Sequence, residues 1–109
     1  MQKPRLIKPI EQAIGRYPLY WDYFYADARR TVTSGFALYA QTDVGENGTR
    51  RERRLYVTSS VGRAEAINEL LIEQYHGSEV RIALRLNLER VIQRWRDSLL
   101  ITKSKVRSY

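Results

Sequence analysis

The sequence lacks cysteine entirely and contains a single histidine, His76. Without cysteine the chain forms neither a disulfide framework nor a thiolate metal site, and one histidine is too few for the common zinc sites. The glycine-containing segment GENG at 45–48 lacks the lysine and the following helix that a phosphate-binding loop requires. The acidic residues are scattered, and no Glu-x-Lys occurs. We therefore predict a protein that is not an enzyme, with no catalytic residue, no metal site and no cofactor.

Long apolar runs are also missing. No stretch approaches the roughly 20 residues that span a bilayer. The first residues, MQKPRLIKPIEQAIGRYP, contain no apolar core of the kind found in secretory signals. We therefore expect a cytoplasmic protein that has no membrane partner.

What the sequence has in excess is arginine. Lys+Arg total 19 against 12 Asp+Glu, which gives a net charge of +7 and a pI near 10.0. Fifteen of these 19 cations are arginine, whose planar guanidinium binds phosphate bidentately and stacks on flat rings. A small basic domain of this composition indicates a nucleic acid partner, RNA or DNA. Solubility and an acidic protein partner explain the same charge.

Hydrophobic periodicity predicts three helices and four strands. Alternation is clearest on either side of the Asn47-Gly48 turn signal, where a β-hairpin is expected. Val80, Ile82 and Leu84 also alternate with polar residues, and a helix would leave Ile82 on the side away from the core, so a strand is predicted there. The predicted elements are helix 10–16, strand 19–26, hairpin strands 34–42 and 50–59, helix 62–77, strand 78–87 and helix 88–101.

This order predicts an α+β fold. We expect a two-layer sandwich in which helices cover one face of a mainly antiparallel sheet of about four strands. Hydrophobic residues make up 43 % of the chain, enough for one core. The predicted organisation is a basic N-terminal arm at 1–9, one domain at 10–101 and a basic C-terminal tail at 102–109.

The order helix, three strands, helix over residues 10–75 resembles the double-stranded-RNA-binding domain in outline. Members of that family begin their second helix with a lysine-rich segment. The corresponding segment here reads VGRAEA and contains one cation, Arg63. The resemblance is one of element order, and it transfers no residue role to this chain.

The candidate nucleic-acid-binding residues are arginines and tyrosines at outward positions of predicted strands. Cations that follow phosphates and rings that stack on bases are the combination that binds single-stranded nucleic acid. The RRERR segment at 50–54 lies at the hairpin, where it can reach a phosphate backbone. An antiparallel sheet face in water often carries the same residue types without function. The candidates are Arg50, Arg51, Arg53, Arg54, Tyr56, Tyr39, Arg81 and Arg85.

A second candidate surface is the aromatic stretch at 20–25, YWDYFY, with five rings in six positions. As a strand it points Tyr20 to one face and Trp21, Tyr23 and Tyr25 to the other, and only one face builds the core. Tyrosine and tryptophan are enriched at interface hot spots. The alternative function is therefore a protein-binding accessory factor or inhibitor of the phage or mobile-element type, or a subunit of a larger complex. Its partner is another protein or a second copy of this chain.

Overall fold

The computed structural model of the chain describes residues 5–28, 31–44 and 50–107. Three strands form one antiparallel sheet in the order β1-β2-β3, and the helices cover one face of it. The predicted α+β class is confirmed, with three strands in place of about four. The elements are α1 (Lys8–Ala13), β1 (Leu19–Ala28), β2 (Thr31–Val44), β3 (Arg50–Thr58), α2 (Val61–Glu73) and α3 (Ser78–Arg107).

The predicted elements before residue 77 are confirmed, with shifted ends. The aromatic stretch forms β1, and the predicted hairpin strands pair antiparallel as β2 and β3. Helix α1 begins inside the predicted N-terminal arm, with Pro9 in its first turn, and ends before Gly15, whose φ is +78°. The hairpin turn at 45–49 and the chain ends at 1–4 and 108–109 lie outside the described residues.

The prediction of a strand at 78–87 is wrong. Residues Ser78–Arg107 form one helix, and Asn87, the last residue of the predicted strand, lies in its interior. The alternating apolar residues misled the prediction because Ile82 and Leu86 are exposed rather than buried. The core positions Leu84, Leu88 and Val91 follow helical spacing through the same segment.

The predicted alternation along β3 is wrong at one point. The register steps from Leu38 opposite Tyr56 to Tyr39 opposite Arg54, so β3 has an extra residue, Leu55, at a β-bulge. A bulge interrupts the alternation of side chains between the two faces. As a result Leu55 is buried, whereas Val57, two residues farther along β3, is exposed.

The core forms where the helices meet the Trp21 side of the sheet. Trp21 is 1 % exposed, and its ring contacts Tyr56 edge to face with centroids 6.4 Å apart. Its indole N–H donates to Oδ1 of Asn68 in α2 at 2.9 Å, and the Asn68 amide donates to the Leu84 carbonyl of α3 at 3.2 Å. One buried amide thus links the sheet to both long helices.

Asn87 of α3 joins the free edge of β1. Its Oδ1 accepts the backbone N–H of Trp21 at 2.6 Å, and its Nδ2 donates to the Trp21 carbonyl at 3.1 Å. The side-chain amide therefore takes the place that a neighbouring strand would occupy at this residue. The pairing satisfies backbone groups that an edge strand would otherwise leave to water.

Farther along α3, a second tryptophan contacts the sheet. The Trp95 indole N–H donates to Oγ of Ser34 in β2 at 3.0 Å, and its ring packs edge to face on Phe36 with centroids 5.2 Å apart. Each tryptophan combines apolar area with one directed N–H bond. Together the two fix the position of α3 along the sheet.

We expect Asn68→Ala to lower the free energy of unfolding by about 2 kcal/mol, because it leaves the buried indole N–H of Trp21 without its acceptor. Urea unfolding followed by circular dichroism measures the loss. The matched control is Gln93→Ala, which removes an exposed amide that bonds Asp97 at 3.1 Å and should cost less than about 0.5 kcal/mol. Equal losses in the two variants would contradict the role given to Asn68.

Candidate nucleic-acid interface

The sheet face opposite the helices carries a group of aromatic and charged side chains, which we call the open face. Side chains alternate along a strand, so the neighbours of buried Trp21 and Leu38 point to this side. None of its members belongs to the helix-covered core cluster. The open face consists of Tyr20, Asp22 and Phe24 of β1, Ala37, Tyr39 and Gln41 of β2, and Glu52, Arg54 and Val57 of β3.

Two tyrosines on the open face stack on each other. Tyr20 and Tyr39 are register partners, and their ring centroids lie 5.6 Å apart with planes inclined by 24°. The Tyr20 hydroxyl is placed to donate to the Glu52 carboxylate, so its side chain reaches across β2 toward β3. Burial, this hydrogen bond and the charge of Glu52 raise the pKa of Tyr20 well above its ordinary value. The Tyr20 ring thus stacks on Tyr39 while its hydroxyl lies beside Glu52.

A glycine provides room for the third ring of the open face. A Cβ at Gly35, the register partner of Phe24, would lie 3.0 Å from two atoms of the Phe24 ring and 2.5 Å from the Thr58 carbonyl oxygen. Real side chains essentially never approach backbone that closely. Gly35 therefore lets the Phe24 ring lie close against β2.

The candidate arginines of β3 lie on an edge strand. Arg54 is the register partner of Tyr39 on the open face, whereas Arg53 is opposite Ala40 and points to the helix side. Arg51 is opposite Asp43, and all three arginine side chains are exposed. Among the described side chains, none of the three pairs with a carboxylate. This edge of the sheet therefore carries three exposed cations that have no carboxylate partner among the described side chains.

A small cleft lies between α1 and β3. It has a volume of about 140 Å³, and its lining includes Arg53 of β3 together with Arg16 and Tyr17, which follow α1. Gln12 and Leu55 also line it, and no carboxylate is among its described lining residues. The lining thus combines an amide and a phenol with two guanidinium groups that have no carboxylate partner among the described side chains, and such a set is suited to a phosphate group.

Three other candidates lie elsewhere. Tyr56 packs against Trp21 on the helix side of the sheet. Arg81 and Arg85 belong to α3, and Arg85 is held by Glu69 of α2 through two hydrogen bonds of 3.3 and 3.4 Å. The structure therefore brings Tyr39 and Arg54 together on the open face but separates them from Tyr56, Arg81 and Arg85.

Four residues were predicted to form a protein interface, and the structure places three of their side chains. Trp21 is a core residue, Tyr23 is half-buried against the same core, and Tyr20 belongs to the open face. The backbone places Tyr25 of β1 opposite Ser34 of β2. It places the predicted nucleic-acid residue Arg50 at the start of β3. The side chains of Tyr25 and Arg50 lie outside the described part of the chain.

Sequence reasoning missed Arg16 and Tyr17. In the sequence they follow a short helix as an ordinary basic and aromatic pair, and no motif marks them. They become candidates only because α1 packs on β3 and brings Arg16 to the same cleft as Arg53. The available signal was weak: a cation next to a helix-ending glycine, Gly15.

Two other kinds of feature are absent from the part of the chain that the structure describes. Over residues 5–28, 31–44 and 50–107, no group of three or more His, Asp or Glu side chains is placed to hold a metal ion. In those ranges no helix combines the length and apolar character needed to cross a membrane. Comparisons with models of protein families, with curated proteins and with solved structures found no match. The candidate site therefore depends on its own geometry.

We expect Tyr20→Phe to lower the free energy of unfolding by about 1 kcal/mol at neutral pH, because the hydrogen bond to Glu52 is lost. The folded protein holds the Tyr20 proton above pH 10.0, where the unfolded chain releases it. The contribution of this bond is thus complete below that pH and is lost as the pH rises further. Urea unfolding at neutral and alkaline pH should therefore show that the difference in free energy of unfolding between wild type and variant becomes smaller as the pH rises.

Burial also raises the pKa of Tyr75. Because Tyr75 is present in both proteins, its titration should change their free energies of unfolding alike and leave the difference between them unaffected. A gap between wild type and Tyr20→Phe that widens above pH 10.0 would contradict the assigned bond.

Proposed function

We propose that this protein binds single-stranded nucleic acid along β3, as a small non-catalytic accessory protein. The observation that carries the proposal is the cleft that Arg16 and Arg53 both line, with no carboxylate among its described lining residues. Arginines without acidic partners are available to phosphate, whereas an ion-paired arginine would first have to give up its carboxylate.

The two faces of β3 give the proposed site two parts. Arg53 turns toward the cleft, and Arg54, the next residue, turns toward the open face beside Tyr39. A nucleic acid strand along this edge would place a phosphate between Arg16 and Arg53. An unpaired base would then turn over the edge onto Tyr39, where stacking contributes about 1–3 kcal/mol per base.

The fixed orientation of Tyr39 supports the stacking part of the proposal. Its ring already stacks on Tyr20, whose hydroxyl lies beside Glu52. A preformed ring pair loses little side-chain entropy when a base joins the stack. Glu52 and Asp22 make the open face itself nearly neutral, so phosphate binding depends on the arginines at the edge.

A second candidate function is protein binding through the open face, as an accessory factor or inhibitor. Phe24 and Tyr39 are half-exposed there, and Val57 is exposed, with no helix of the described chain covering them. Aromatic residues on a nearly neutral face are typical of protein interfaces. Failure to bind any oligonucleotide at low salt would favour this function.

We expect Arg16→Ala/Arg53→Ala to weaken binding of a labelled single-stranded oligonucleotide at least tenfold, because both phosphate ligands of the cleft are lost. Fluorescence anisotropy titrations at several salt concentrations measure this. Log Kd of the wild type should change linearly with log salt, and the variant should lose about 0.7 of slope for each phosphate contact removed.

The matched control is Arg63→Ala/Arg94→Ala, which removes the same charge from α2 and α3. If the cleft is the site, this control binds close to wild type. Equal losses in the two double variants would mean that net charge alone attracts the oligonucleotide, and would contradict a site at the cleft.

Stacking on Tyr39 is tested separately. We expect Tyr39→Ala to weaken oligonucleotide binding about fivefold or more, whereas Tyr39→Phe keeps the ring and binds close to wild type. The same titrations measure both, and the salt slope should stay unchanged because no cation is removed. Unchanged affinity in Tyr39→Ala would exclude a base at this position.

A further inference from the structure

Helix α3 exposes apolar side chains on the side that faces away from the fold. Ile82 is 55 % exposed and Leu86 is 43 % exposed. They lie four residues apart and so share one face of the helix. Leu86 lies about 200° around the helix axis from the core position Leu84. A helix that packs on one partner needs one apolar face, and here the first half of α3 has two.

The polar neighbours of this pair carry opposite charges at matched distances. Glu79 lies three residues before Ile82, and Arg90 lies four residues after Leu86. Glu79 and Arg90 are eleven residues apart, about three helical turns, so they lie on the same flank of α3. Both are exposed, and neither pairs with an oppositely charged group among the described side chains.

We propose that α3 binds α3 of a second copy of this chain, antiparallel and about a two-fold axis near residue 84. A two-fold axis at residue 84 brings Ile82 of each copy against Leu86 of the other. The midpoint between Glu79 and Arg90 lies half a residue from this axis, which is about 0.8 Å along the helix. The same axis therefore brings each Glu79 to the other copy's Arg90.

Self-complementarity is what selects a second copy as the occupant. A single register pairs apolar with apolar and acid with base, and it does so twice because of the symmetry. Ala83, also exposed on this side, is small enough to let the helices approach closely. The charge pairs set the orientation and register, while burial of Ile82 and Leu86 provides the affinity.

This dimer leaves the proposed nucleic-acid site uncovered. The cleft lies between α1 and β3, and α3 packs beneath β1 at the opposite edge of the sheet. The dimer does not depend on the proposed function, and either one stands if the other fails. If both hold, one assembly presents two copies of the β3 edge.

Sedimentation velocity across micromolar to millimolar concentrations tests the dimer. We expect the wild type to change from monomer to dimer as its concentration rises, and Leu86→Glu to remain monomeric. The matched control is Ile7→Glu, which places a carboxylate at an exposed isoleucine outside α3 and should dimerise like wild type. A wild type that stays monomeric at every concentration would overturn the proposal, as would a Leu86→Glu protein that still dimerises.

Charge reversal at two exposed positions tests the register. Glu79→Arg and Arg90→Glu should each weaken dimerisation about tenfold, since each turns two attractive contacts into repulsive ones. Combining the two substitutions in one chain should restore wild-type dimerisation. A double variant no better than either single variant would overturn the antiparallel arrangement.

Discussion

The hydrogen bond from the Trp21 indole N–H to Oδ1 of Asn68 lies where the sheet, α2 and α3 meet. Asn87 adds two bonds to the backbone of the same tryptophan, so β1 is fixed to α3 at Trp21 through side chain and main chain together. Buried polar groups of this kind are costly when unpaired, and paired they specify one arrangement of the core. The side of the sheet on which the helices lie follows from this contact.

The free side of the sheet follows from the same constraint. With Trp21 directed into the core, Tyr20 and Phe24 must point to the open face, where the stack of Tyr20 on Tyr39 and the bond to Glu52 organise them. The aromatic stretch thus contributes Trp21 to the core and Tyr20 and Phe24 to the open face. The bulge at Leu55 has a comparable effect on β3, because it gives the strand an additional buried residue without displacing Tyr56 from Trp21.

The sequence was informative where burial and periodicity agree. The hairpin strands alternate around a strong turn signal, and α2 repeats its apolar residues at helical spacing, so both were predictable. The segment 78–87 was not, because Ile82 and Leu86 are apolar yet exposed, and periodicity assumes that apolar residues are buried. The cleft was beyond prediction, since it requires the packing of α1 on β3 to bring Arg16 to Arg53.

The central claim is that nucleic acid binds along β3, and mapping the contact surface by NMR tests it most directly. In a titration with a single-stranded oligonucleotide, amide shifts should concentrate in β3, around Arg16 and Tyr17, and at Tyr39. The solvent-facing side of α3 should remain unchanged. Shifts spread evenly over the surface, or concentrated on α2 and α3, would contradict the account.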